Sequence, residues 1–288
     1  MKKSKLAKVL TVSLAALMVF GLASCGGGSG KVSDKDITVI SREEGSGTRD
    51  AFTELTGVLQ DDVDKTVDTA EISNSTSVVT QSVAGNDAAI GYISLGSLDD
   101  TVKAVKVDGV EATVDNIKSG DYKIQRPFNI VTKGEVKELP ADFINFIMSK
   151  DGQKIIEDEG YISVNENAEA YKASGLKGSI TLAGSTSVSP VMEVLADKYK
   201  ELNSGVTIEI QQTGSGAGIQ STTEGVCDIG MASRELKDEE TSQGLKSEEI
   251  ALDGIAVIVN KDNGVEDLSM DQIMKIFTGE ITNWADVK

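Results

Sequence analysis

From residue 37 onward, short β-branched apolar runs alternate with amphipathic ones, and Gly/Ser turns join several of the strands to the helix that follows. A chain patterned this way has to lay helices against a sheet, so it is confined to α/β architecture, with strands expected to run mainly parallel. Strand-like runs fall at 37–40, 89–93, 102–107, 128–131, 179–182, 206–210, 228–231 and 254–259. Helix-like runs fall at 52–59, 77–84, 141–149, 153–158, 190–202 and 270–277. In the clearest of these, Val191, Val194, Leu195, Tyr199 and Leu202 are expected on one face, with Ser189 as N-cap and Pro190 in the first turn.

The joining turns carry the chemistry. Residues 41–52 read S-R-E-E-G-S-G-T-R-D-A-F, with Ile37, Val39 and Ile40 leading in and a helical segment, 49–55, leading out. Gly45 and Gly47 let the backbone turn tightly, while Ser46 and Thr48 bring hydroxyls to the same place. A helix starting there presents unpaired N–H groups and the positive end of its dipole, and Arg42 adds a fixed fork of donors. Such a turn can cradle an anion; standing alone, it can equally be an N-capped strand-to-helix connection. The pattern recurs as A-G-S-T-S-V-S-P at 183–190 and Q-Q-T-G-S-G-A-G at 211–218, and more weakly as S-N-S-T-S at 73–77 and M-A-S-R-E at 231–235. Ligands of open α/β sheets gather outside the carboxyl ends of the strands, so these turns are expected around one small anion. No G-x-x-x-x-G-K-[ST] occurs, and no G-x-G-x-x-G follows a strand with a suitable acidic residue downstream, which argues against P-loop and dinucleotide sites.

Charge and composition narrow the partners. The 288 residues carry a formal charge of −18, which opposes nucleic-acid binding and requires any bound anion to be held by local donors against the global field. The absence of histidine removes Ser-His-Asp and Cys-His machinery and most zinc sites, so neither a cofactor nor a metal is expected. A secreted serine enzyme would need a Ser-Lys pair, and no S-x-x-K stands in the usual context before a helix. Cys25 and Cys227 make no disulfide framework, and Cys227 reads as a small core residue. At the N-terminus Lys2, Lys3, Lys5 and Lys8 precede an apolar run, 9–23, and then L-A-S-C. This has the n-region and h-region of a secretory signal, and L-A-S-C resembles the lipobox of bacterial lipoproteins. Residues 1–24 are thus expected to be a signal peptide, Cys25 the acylated residue, and 25–30 a flexible tether to the extracytoplasmic face of the cell membrane.

The turns at 41–52, 183–190 and 211–218, together with D-I-G-M-A-S-R-E-L (228–236), L-D-G-I-A-V-I-V-N (252–260), I-F-T-G-E-I-T-N-W (276–284) and A-I-G-Y-I-S-L-G (89–96), span nearly all of 37–288. At these residues the chain resembles the PstS-type phosphate-binding lipoproteins of bacterial phosphate ABC transporters, in the periplasmic-binding-protein superfamily. The resemblance implies a two-lobed type II clamshell that closes on one dehydrated phosphate and passes it to an ABC permease. Carried over by motif, phosphate would meet Ser185, Thr186 and Ser187, Ser215, Ser233 and Arg234, and the cluster Arg42, Ser46, Gly47 and Thr48. Glu43 or Glu44 is placed to orient Arg42, unless both are solvated surface carboxylates. Many members of the family have an aspartate that accepts the proton of HPO₄²⁻ and so rejects sulfate; here Ser233 and Arg234 occupy that region, and a second arginine would favour any dianion. Sulfate and molybdate are therefore the alternative ligands, and a phosphate sensor or adhesin without transport is the alternative role.

The order of the motifs departs from the family's. A-G-S-T comes first there and I-T-N-W leads into the S-R-E-E-G-S-G-T half, whereas here that half comes first. The chain reads as a circular permutation with a new joint near 161–179, a linker at 165–177, and the old connection between Lys288 and Lys31 cut. Permutation is tolerated where chain ends lie together at a surface. With crossovers expected near 122–131 and 255–262, one lobe would be 31–123 plus 261–288 and the other 128–260. A fragment completed by domain swapping is the duller possibility.

Overall fold

A computed structural model describes residues 34–287; the signal-like segment, Cys25 and the Gly/Ser tether lie outside the described residues. Two parallel triplets of strands anchor the sheet. In the first, β1 (Thr38–Arg42) lies between β2 (Glu71–Ser73) and β3 (Ala89–Ser94) and runs parallel to both. In the second, β6 (Gly178–Gly184) lies between β7 (Val206–Gln212) and β8 (Ile229–Ala232), again parallel to both. Two strands join the triplets: β5 (Gln125–Lys133), and β9 (Leu245–Asn260), which is 16 residues long. The resulting order is β7-β6-β8-β5-β9-β3-β1-β2, with β5 antiparallel to β8 and to β9, and β9 antiparallel to β3 and to a short strand off this path, β4 (Val102–Ala104).

The sheet is therefore mixed rather than mainly parallel. The β9 strand pairs with β5 from Leu245 to Gly254, then with β3 from Ile255 to Val259. Its first part, L-K-S-E-E, is mostly exposed and polar, which is why apolar patterning alone marks only 254–259 as a strand. The two triplets have separate cores. One gathers Phe52, Tyr92, Ile117, Tyr122, Ile276 and Phe277, the other Phe128, Phe143, Phe146, Leu182, Leu195 and Tyr199. The β9 strand serves both: Ile250 and Ala251 pack in the second core, while Ile255, Val257 and Val259 pack in the first. The change of core falls between Ala251 and Leu252, which packs against the first core.

Helices cover the sheet as the sequence requires. The helix α1 (Gly47–Thr56) starts sooner than the apolar pattern suggests, because Ser46 caps it; it ends at Gly57, held at φ 77°. The helix α2 (Thr76–Gly85) is capped by Ser75. In α3 (Ser189–Leu202) the buried stripe is Val191, Met192, Leu195, Ala196 and Tyr199, whereas Val194 and Leu202 face solvent. The stripe is rotated away from Val194, toward Met192 and Ala196. The first turn of α4 (Ser215–Glu224) packs on the end of β6, and α5 (Met270–Phe277) buries Ile273, Ile276 and Phe277 in the first core.

Both ends of the described chain lie together. The Ile37 amide donates to Thr282 O at 2.8 Å and the Trp284 amide to Lys35 O at 3.0 Å, while the Trp284 indole donates to Ala88 O at 2.9 Å. The expected linker is pinned to the second core: Asp142 Oδ2 accepts from Tyr171 OH, Ser174 Oγ and Tyr199 OH at 2.6, 2.8 and 2.6 Å.

One buried ion pair ties the joining strands. Arg126 on β5 and Asp253 on β9 are register partners; Nε and Nη2 of Arg126 donate to Asp253 Oδ2 at 3.3 and 3.1 Å, and Ser94 Oγ donates to Oδ1 at 2.9 Å. Burial pushes the Asp253 carboxyl up to about 6, against the pull of Arg126 and Ser94. A carboxyl raised from 3.8 on folding favours the folded state below about pH 4, and that contribution is lost as pH rises through about 6. In denaturant unfolding at about pH 4 and about pH 6.5, the stability of wild type relative to Asp253→Asn is expected to fall at the higher pH. A constant difference would remove this titration from the account.

Candidate functional site

The β1 strand delivers Arg42 to its carboxyl end, and the first core holds it there. The Arg42 amide donates to Tyr92 OH at 3.2 Å, Ser41 Oγ shares a 2.8 Å bond with the same hydroxyl, and Tyr92 stacks on Phe52 at 3.9 Å. Burial pushes the Tyr92 phenol up to about 12, so it remains a neutral hydroxyl. From the next turn Arg49 Nη1 donates to Arg42 O at 2.8 Å.

The Arg42 side chain is only 2% exposed. Its Nε and Nη2 donate to Glu43 Oε2 and Oε1, both at 2.8 Å, a bidentate pair that selects Glu43 over Glu44 as the orienting carboxylate. The other edge of the fork faces hydroxyls: Nη2 donates to Thr186 Oγ1 at 3.0 Å and Nη1 reaches Thr76 Oγ1 at 3.5 Å.

Around that edge the capped turns converge. Gly45, at φ 81°, reverses the chain in a conformation that side chains disfavour, and its carbonyl accepts from the Gly216 amide at 2.9 Å. Ser46 Oγ accepts from the Arg49 amide and Ser46 O from Asp50 N, so the amides of Gly47 and Thr48 precede the first intrahelical bond. Thr48 Oγ1 lies 2.9 Å from Ser187 Oγ, and Thr76 Oγ1 lies 3.1 Å from Ser187 Oγ and 3.3 Å from Thr186 Oγ1. Ser215 Oγ accepts from the Ser233 amide at 3.1 Å and is 3.3 Å from Ser233 Oγ. A Cβ on Gly47 would lie 2.5 Å from Ser215 Oγ and 2.8 Å from Ser233 Oγ, so only glycine allows these turns to meet.

Arg42, Gly47, Thr48, Thr186, Ser187, Ser215 and Ser233 thus come together in one buried cluster. Ser46 and Ser185 stand at the same turns as caps, the Ser185 hydroxyl accepting from the Ser187 and Val188 amides. Arg234 lies beside Ser233, but its Nε donates to Asp50 Oδ2 at 2.9 Å, and Nη1 and Nη2 donate to Glu240 Oε2 and Oε1, both at 2.8 Å. Three participants carry a weak local signal in the sequence or none. Thr76 sits in the S-N-S-T-S turn, a recognisable weak copy of the pattern. Tyr92 is one residue of an apolar strand and carries no local signal. Arg126 Nη1 donates to Ser233 O at 3.1 Å, a contact between residues 107 positions apart.

The arrangement suits a compact oxyanion with many acceptor sites. Hydroxyls donate or accept as needed, helix N-termini direct N–H groups and positive dipole ends inward, and the guanidinium adds charge-assisted bonds. With Thr48, Ser187, Ser215 and Ser233 at most 1% exposed, these bonds act away from bulk water, where they are stronger.

The chain matches the PBP superfamily domain over residues 28–151 and 169–288. It is 52% identical to the phosphate-binding protein PstS 2 of Streptococcus agalactiae, across 100% of this chain and 99% of that one. To the phosphate-binding protein PstS 2 of Streptococcus pneumoniae it is 47% identical, across 99% of this chain and 100% of the other. The phosphate-binding protein PstS of Bacillus subtilis aligns at 38% identity over 43% of each chain. Among solved structures, that of a phosphate-binding protein of a phosphate ABC transporter from Streptococcus pneumoniae superposes with a TM-score of 0.72 at 49% identity, covering 88% of this chain and 100% of that one. By sequence over its whole length and by fold, the chain belongs to the PBP superfamily, in its PstS family of phosphate-binding proteins.

Proposed function

We propose that this protein captures inorganic phosphate between two lobes and delivers it to the permease of an ABC importer. The observation that carries the proposal is the convergence of hydroxyl-bearing turns at helix starts, from both parallel triplets, on the free edge of one buried arginine. Hydroxyls suit a ligand that both accepts and donates, as HPO₄²⁻ does, whereas sulfate and molybdate only accept. The names of the full-length relatives point the same way. A solute-binding role outside the cytoplasm, without turnover, fits such a site, and acylation of Cys25 at the L-A-S-C motif would hold the protein to the membrane.

The lobes follow the two cores, with residues up to about 124 and from about 252 in one and most of the segment between in the other. The permuted order draws support from the pairing of 35–37 with 282–284 and from the half-length alignment to the Bacillus subtilis protein, which a collinear comparison of permuted chains would give.

Calorimetric titration of the protein without its acyl group is expected to show one phosphate bound per chain. Binding of sulfate or molybdate in its place would overturn the ligand assignment. Arg42→Ala should weaken phosphate binding by about 10- to 100-fold, more than removal of any single hydroxyl, because it deletes charge-assisted bonds and strands Glu43. Gly47→Ala should weaken binding about tenfold or more, with little change in thermal unfolding, because the added methyl separates the turns at Ser215 and Ser233.

A further inference from the structure

We infer that Asp50 and Arg234 form a latch that sets the spacing of two facing turns of the site and slows phosphate release; this inference rests on the phosphate reading above. Asp50 lies in the first turn of α1, two residues beyond Thr48, and the neighbouring Ala51 and Phe52 fix that helix in the first core. Arg234 follows Ser233 directly at the end of β8, whose Ile229 and Met231 lie in the second core. The Nε–Oδ2 bond of 2.9 Å therefore joins the two cores at the point where each presents a turn to the cluster.

Arg234 is placed for this contact by its own side of the molecule. Glu240 takes Nη1 and Nη2, the Glu235 carbonyl accepts a second bond from Nη1 at 2.7 Å, and the Lys237 amide fixes Glu240 Oε2 at 2.8 Å. Four of the five guanidinium N–H bonds are thereby committed. Asp50 and Glu240 offset the charges of Arg234 and the nearby Lys237, so the group as a whole offers no net positive charge to an anion. Arg234 is thus a positioning residue rather than a second phosphate ligand. Lys237 Nζ, 3.7 Å from Asp50 Oδ2, reinforces the same contact. Asp50 is 29% exposed, so added salt should weaken the latch.

The test is a double-mutant cycle on the full chain without its acyl group, with phosphate as probe, followed by calorimetry and by stopped-flow release at low and high NaCl. Asp50→Asn and Arg234→Gln are each expected to weaken binding about 5- to 30-fold, mainly through faster release, with the double variant no weaker than the poorer single. Salt should accelerate release from wild type and do so less for Asp50→Asn, and Asp50→Glu should restore slow release. Losses that add, or a loss confined to Arg234→Gln, would show that Arg234 acts without Asp50 and would overturn the latch. Unchanged release in Asp50→Asn would do the same, and this variant leaves the Arg234–Glu240 pair intact, so folding does not decide the outcome. Failure of wild type to bind phosphate would instead overturn the ligand reading.

Discussion

A cation held almost entirely out of water in a protein of net charge −18 is the constraint from which the rest of the site follows. An arginine buried alone would be costly, and its full charge would hold an anion without selectivity. Glu43 resolves both difficulties by taking one edge of the guanidinium in a bidentate pair, leaving the other edge for neutral hydroxyls. What remains is a donor surface of fixed geometry and modest net charge. Recognition then depends on the count and direction of hydrogen bonds, which local helix starts can supply, rather than on a field that the rest of the surface would oppose.

The scaffold meets this need by using one device in both halves. Each triplet ends its central strand in a capped turn, and each helix start turns backbone N–H groups toward the same region. The joining strands β5 and β9 hold the halves together through the Arg126–Asp253 pair, and Arg126 reaches on to the carbonyl of Ser233. Bonds that place the site and bonds that link the halves thus share residues. A change in how the halves sit would be felt at Ser233 first.

Much of this was legible in the sequence because helix starts are local. Gly45, Ser46, Gly47 and Thr48 declare their turn by composition alone, as do Thr186, Ser187 and Ser215. Legibility fails where the partner is distant or the pattern is polar. Asp50 lies 184 residues from Arg234, and no local rule distinguishes an arginine aimed at an anion from one aimed at two carboxylates. The first third of β9 reads as a polar surface run because only its ladder makes it a strand. Val194 has the right spacing for the buried stripe of α3, yet a small rotation of the helix exposes it; spacing gives a face but not its centre.

The single tryptophan has an optical consequence. Trp284 is nearly buried in the first core, its indole is bonded to Ala88 O, and its backbone is stitched to Lys35. It lies among groups whose environment is set by the docking of the C-terminal segment, not by the hydroxyl cluster at Arg42. Its emission should be that of a shielded indole and should report when that segment peels away. Ligand-induced motion would pass largely unseen in that channel, and a fluorophore meant to follow the cleft would have to be placed elsewhere.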